Sequence, residues 1–271
     1  MFQDLLAGPA RHSSRPSPGP DDDPHDRGHR RPWHRRDHRH LQRHSRRPAA
    51  AAADTPTPAG LVRIYTDAPP NRFRFSVADY LALQAEQTHF EQVAGYTDRL
   101  MSFSDGNVAE RLRGKLVSWT YFSLLGLRPA IGRDFAEADG RPGNPLAVIV
   151  VARVLASAPW LGRLDAIGKP IRIDGADHIV VGVLPSDGRP AREQGAGLFI
   201  AAQWQPPRRK GPFFITTLAR LRSESERSAA ADELRAINRR MFPIWRSSHQ
   251  DDKATWSFID FEAASSPATS S

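Results

Sequence analysis

Between Val117 and Phe135 the chain carries a run of turn signals that leaves its backbone little freedom. Ser118 is a candidate N-cap for a short helix, because its hydroxyl can accept from an orphan backbone N–H. Phe122 and Leu125 fall on one face of that helix. Gly126 can end it in a left-handed turn. Pro129 forbids continuation, and Gly132 permits a further turn. Downstream, Ile167 to Gly175 leads into Ile179 to Pro185, which reads as a strand, an Asp174-Gly175 turn and a second strand. These signals are structural, and none is catalytic.

Composition narrows the function classes. The 271 residues include no cysteine, which excludes a disulfide framework, an iron–sulfur cluster and a cysteine-ligated zinc. No window approaches the ~18 apolar residues of a membrane-spanning helix. The start, Met1 to Gly8, lacks the basic region and long apolar core of a signal peptide. Charge is uneven: residues 1–60 hold 11 Arg against 7 Asp, half of the chain's net +8, and seven of its ten histidines. Residues 1–60 therefore read as a disordered Arg/His/Pro-rich segment ahead of a folded part.

In the folded part, Leu61–Thr66 reads as a strand, with Val62 and Ile64 opposite Arg63 and Tyr65. Ser76 and Asp79 form a capping box opening a helix near Val77–Glu86. Thr88 with Glu91 opens a second turn anchored by Phe90 and Val93. Strands near Arg99–Phe103 and Glu110–Val117 flank the loop Ser104 to Asn107. Ala147–Val151 is a short apolar strand, and Ala152–Leu161 is helical within the limit set by Pro159. Leu198–Ala201 is another strand. Gln205 to Pro212, with three prolines and three basic residues, reads as a linker. Phe213–Leu221 is a strand, and Ser223 with Glu226 a second capping box. Ala230, Leu234, Ile237 and Met241 form one helical stripe, and Pro243 ends or kinks that helix. Trp256–Phe261 closes as a strand, and 263–271 is a frayed tail. Strand–helix–strand at each end of a β-rich middle predicts an α+β fold.

The chemistry-bearing residues form no convincing site. On a helix, His34 with His38 and His40 with His44 could hold a divalent metal, but no carboxylate or cysteine completes a ligand set. The same arginine-rich run could contact phosphates, yet no nucleic-acid-binding motif accompanies it. No G-x-S-x-G is present, and His89, His178 and His249 read as solvated surface. Asp21-Asp22-Asp23 and Asp251-Asp252 read as solvated loop acids. There is no G-x-x-x-x-G-K-[ST], and Gly126, Gly132, Gly168 and Gly182 are separate turn glycines. Trp119, Trp160, Trp204, Trp245 and Trp256 could line a ligand groove, although core or rim packing is the commoner use. No catalytic, cofactor-binding or metal-ligating residue is assigned, and no cofactor is expected.

The order of the pieces carries more information than any one of them. Leu61-Val62-Arg63-Ile64, Phe75 to Tyr80, Phe90 to Tyr96, Glu110 to Gly114, Val117 to Phe135 and Gly168 to Pro185 together resemble the MacB-like periplasmic core domain of ABC transporter permeases of the MacB/FtsX type. The resemblance runs from Leu61 to Glu262. It implies porter-like split βαβ layers built from 61–96 and 211–262, with a smaller β-rich subdomain, 97–210, inserted between them. It also implies a non-enzymatic role on the extracytoplasmic side of the cell membrane, passing ATP-driven motion to substrate export or to a periplasmic partner. The implied partners are a second permease subunit or half and an ATP-binding cassette subunit, with no nucleic acid. Alternatives are a soluble, non-catalytic binding or adaptor protein, or a nucleic-acid binder acting through the basic tail.

Such domains follow a transmembrane helix. Here His29 to His44 stands in that place, and no bilayer would accept its arginines. Shifted by one base, the codons of Pro32 to His44 can spell an apolar segment similar to the end of that helix. Arg47 to Ala53 can likewise spell the segment after it. Residues 1–60 are therefore expected to be a frameshifted transmembrane region, and the chain a fragment of a permease. The alternative is a natural basic tail.

Overall fold

The structure, a computed structural model, describes residues 59–104, 109–157, 165–186, 195–246 and 253–261. The expectations for the Arg/His-rich segment, its histidine pairs and the shifted frame lie outside the described residues. So do those for Asp105 to Asn107, Trp160, His249, Asp251-Asp252 and the tail.

Among the described residues, eleven strands and four α-helices build one mixed sheet with helical cover. In chain order they are β1 Leu61–Ala68, β2 Asn71–Phe73, α1 Val77–Glu86, β3 Phe90–Ser104, β4 Ala109–Val117, α2 Tyr121–Leu124, β5 Ile131–Gly132, β6 Ala147–Val151, α3 Ala152–Ser157, β7 Pro170–Ile173, β8 Ala176–Leu184, β9 Leu198–Ala201, β10 Thr216–Leu221, α4 Arg227–Trp245 and β11 Thr255–Asp260. The α+β expectation holds.

At one end the order is β11-β1-β10-β3, each neighbour antiparallel. Thus β1 and β3 run parallel across β10, joined by α1. Likewise β10 and β11 run parallel across β1, joined by α4. This is the split βαβ arrangement. Both helices lie on one face. Val62 and Ile64 of β1, Val93 of β3, Ala219 of β10 and Trp256 of β11 pack there with Tyr80, Leu83, Leu234 and Ile237. The α4 stripe Ala230, Leu234, Ile237 and Met241 is buried as its spacing requires.

At the other end the strands close on themselves. β3 pairs with β4, β4 with β9, β9 with β6, β6 with β8 and β8 with β7. β7 then returns to β3 at Phe103 and Ser104. Six strands thus form a small barrel, and side chains alternating along them fill it: Met101 and Phe103, Val148 and Val150, Ile171 and Ile173, Leu198 and Ile200. The β6 run Ala-Val-Ile-Val-Val is apolar throughout because both of its faces are covered. Ile149 and Val151 point outward into a further core with Phe122, Phe135 and Phe199. The Asp174-Gly175 turn between β7 and β8 has φ of 51° and 82°, the left-handed pair that a two-residue hairpin needs.

The segment from Ser118 to Arg141 covers this outer core. Gly126, at φ +69°, ends α2: its N–H donates to Ser123 O (3.1 Å), and Leu127 N–H donates to Phe122 O (2.9 Å). Tyr121, Phe122 and Leu124 are the buried residues of α2, while Leu125 is half-buried. Arg133 grips Asp139 through two hydrogen bonds, 2.6 and 3.0 Å. Burial works against the Asp139 carboxylate, but this grip and the Ala136 N–H hold its pKa below the ordinary range.

Several expectations are corrected. Ser118 is not an N-cap: its hydroxyl accepts from Gly95 N–H (3.1 Å), satisfying a donor on β3. Thr88 and Glu91 open no helix, because Thr88 N–H and Oγ1 donate to Glu233 on α4, and the chain extends at once into β3. Ser223 caps nothing: it pairs with Ser225, and Glu226 turns to His89, so a 3-10 turn precedes α4. α3 ends at Ser157. Regular pairing of β10 starts at Thr216, after a single bridge from Ile215 to Phe75. α4 continues two residues past Pro243, which lies in its last turn.

Gly132 lies at φ +80°, and a Cβ there would run into the Val181 carbonyl oxygen of β8. Gly132→Ala is expected to cost about 1–3 kcal/mol in urea unfolding, from strain plus an unyielding backbone clash. A change under about 0.5 kcal/mol would show that β5 is not held as described.

Candidate functional site

The most strongly built polar feature lies where the split βαβ layer meets the barrel. Asp79, in the first turn of α1, is fully buried, as the N3 member of a capping box must be when the helix start is packed. Its Oδ2 accepts from Ser76 N–H (3.0 Å) and Ser76 Oγ (2.7 Å), and its N–H donates to Ser76 Oγ (3.2 Å). Its Oδ1 stands 3.1 Å from Lys210 Nζ, whose side chain is 3% exposed. Lys210 belongs to the stretch between β9 and β10 that the sequence presents as a linker. The stretch has no regular structure, as a linker would, and a buried cation pins it to α1. Prolines and flanking arginines signalled solvent, and nothing in the local pattern marked one of three adjacent basic residues for burial.

Beside this pair runs a groove of about 400 Å³ between α1 and the 118–141 segment, lined among others by Tyr80, Gln84, Trp119, Arg141 and Trp204. The Tyr80 ring stands edge-on to Trp204, with centroids 4.8 Å apart. Burial pushes the Tyr80 phenol up to about 12, so it remains a neutral hydroxyl. Two of the five tryptophans considered as groove residues, Trp119 and Trp204, thus face a groove. Trp256 is fully buried in the core, and Trp245 packs at its margin.

Lys115 is a second buried cation, missed by sequence reading. It bonds Asp98 at 2.5 Å and lies 4.2 Å above the Tyr96 ring. Burial lowers its pKa, and Asp98 works in the opposite sense. On β10, Arg220 donates to the Leu124 carbonyl, fastening α2 to that strand.

Of the histidines expected at the surface, His178 is buried, while His89 keeps about a third of its side chain exposed. His89 Nδ1 is 3.1 Å from Glu226 Oε2 and half-buried. His178, alternating inward on β8, is 5% exposed and bonds the Ala176 carbonyl through Nδ1 (3.0 Å). Among the described residues no cluster of three His, Asp or Glu could hold a metal, and no helix is long and apolar enough to cross a membrane. The arrangement fixes elements to one another.

The family model described as MacB-like periplasmic core domain matches residues 49–237. Solved structures share the fold at low identity. A domain of a protein described as a permease from Porphyromonas gingivalis is 16% identical at TM-score 0.55, covering 74% of this chain and 90% of that one. The periplasmic region of MacB from Actinobacillus actinomycetemcomitans is 14% identical at TM-score 0.54, covering 77% and 92%. The extracellular domain of the noncanonic ABC-type transporter YknZ from Gram-positive bacteria is 14% identical at TM-score 0.50, covering 74% and 100%. No curated protein sequence matches the chain.

Lys210→Met strands the Asp79 carboxylate in the interior and is expected to cost about 3–5 kcal/mol by chemical denaturation. Adding Asp79→Asn should recover part of that loss, and a single-variant cost below about 1 kcal/mol would show that the pair clamps nothing. His178 gives a pH signature. Burial depresses its pKa below the ordinary 6.5, so the unfolded chain takes up the proton first. Its contribution is complete above pH 6.5 and is lost as pH falls through the folded value. His178→Gln should therefore lose stability less steeply than wild type below pH 6.5, and parallel curves would refute this.

Proposed function

Because the chain belongs to the family of MacB-like periplasmic core domains, we propose that it is the extracytoplasmic module of an ABC transporter permease of the MacB/FtsX type. It passes ATP-driven movement from the membrane side to substrate export or to a periplasmic partner, and performs no catalysis itself. The observation that carries this reading is the joint. β3 runs unbroken from the split βαβ layer into the barrel, and the second connection, after β9, is pinned by Lys210 to Asp79. A body joined in this way moves as a unit when either end is displaced, which is what relaying a displacement requires. Residues 61–96 and 211–262 are assigned to the porter-like layer and 97–210 to the inserted subdomain. Its partners are a second permease subunit or half and an ATP-binding cassette subunit, and its place is the outer side of the cell membrane.

The test is recovery of the full chain, carrying an affinity tag at its own chromosomal locus, from detergent-solubilised membranes. An ATP-binding cassette ATPase is expected in stoichiometric company. Recovery of the chain from the soluble fraction without any such ATPase would favour a binding or adaptor protein instead and end the transporter reading.

A further inference from the structure

A pocket opens at one end of the barrel. Arg99 on β3, Leu116 on β4, Leu146 just ahead of β6, Ile173 on β7, His178 on β8 and Ile200 on β9 all line a pocket of about 310 Å³, with Trp204 at its rim. Five of the six strands, with the residue leading into the sixth, thus contribute to this mouth, and its lining is mainly apolar, with Arg99, Asp174, His178 and Gln203 as the polar side chains. A volume of this order and a mainly apolar lining with a few convergent polar groups suit a small organic ligand.

The polar groups restrict its chemistry. Arg99 is no free cation: its guanidinium lies 3.3 Å from Asp174 Oδ2, and Asp174 Oδ1 accepts from Ser102 N–H at 2.8 Å. The rim is therefore charge-balanced and favours a neutral guest. His178 is more than nine-tenths buried, and its Nδ1 donates to the Ala176 carbonyl. That bond fixes the tautomer and leaves Nε2 a lone-pair acceptor. A ligand hydroxyl can donate to that lone pair. Trp204 and the Arg99 guanidinium add flat faces on which a ring can lie.

We propose that the barrel mouth is a binding site for a compact, neutral, planar apolar molecule bearing one hydroxyl donor, which bonds His178 Nε2. The site lies against the joint through Trp204, which also lines the groove beside α1. An occupant would therefore touch both bodies that the joint connects. The inference does not depend on the transport reading, since binding is read on the purified chain without an ATPase.

The test is titration calorimetry of the purified full chain with 2-naphthol and, separately, 2-methoxynaphthalene, which keeps the ring and loses the donor. Saturable one-site binding is expected for the naphthol, about tenfold tighter than for the ether. His178→Leu should weaken naphthol binding by about the same factor and leave the ether unchanged. Absence of saturable naphthol binding, or equal affinities for the two probes, overturns the proposal. The wild-type comparison decides even if the variant fails to fold. Tight naphthol binding that survives in a folded His178→Leu protein overturns the assignment of the acceptor.

Discussion

Strand β3 answers to two architectures at once. Its first seven residues pair with β10 in the split βαβ layer, and from Tyr96 onward it pairs with β4 in the barrel. Every side chain along it must therefore suit one environment before the crossing and another after it. Val93 belongs to the helix-covered core, Ala94 and Tyr96 to the outer core, and Met101 and Phe103 to the barrel interior. Because the peptide backbone is stiff and the register of each partner is fixed, twisting one body against the other would shear paired strands. The relation between the two bodies is thus set by main-chain hydrogen bonds, and the side chains refine it.

The Asp79–Lys210 pair belongs to that refinement. Two buried charges gain little over an apolar pair of the same volume, but removing either one is costly. Such a pair specifies which segment lies against which helix better than it stabilises the whole. Lys115, itself buried under Tyr96 and bonded to the exposed Asp98 carboxylate, ties β4 to β3. Both cations lie next to the crossing between layer and barrel, where a wrong register would be most damaging.

Much of the architecture was legible in the sequence wherever a periodic pattern coincided with burial on one face. The α4 stripe, the α1 capping box, the Asp174-Gly175 turn and the left-handed Gly126 each follow from local chemistry. What escaped depended on distant partners. Ser118, Thr88 and Ser223 all have the chemistry of caps, yet the first two spend it on Gly95 and Glu233 across the fold, and Ser223 on its neighbour Ser225. His178 and Lys210 carry solvent-facing residue types in turn-rich contexts, and only the closure of the barrel and the packing over α1 bury them. Closure itself was invisible, because β7 is four residues long and its second pairing, to β3, joins residues far apart in the chain.

The order of strands also has a consequence for synthesis. β1 lies between β10 and β11, and those two strands are made from the last stretch of the folded part. The barrel strands, by contrast, are all complete once β9 has emerged. A nascent chain can therefore finish its interior module while Leu61–Ala68, apart from the short β2 hairpin at its far end, waits with both backbone edges open. Interrupted translation in that interval would release a half-assembled molecule with an apolar ribbon ready to pair with a neighbour's. A holding chaperone, and not only a protease, is the quality-control factor such a chain would need.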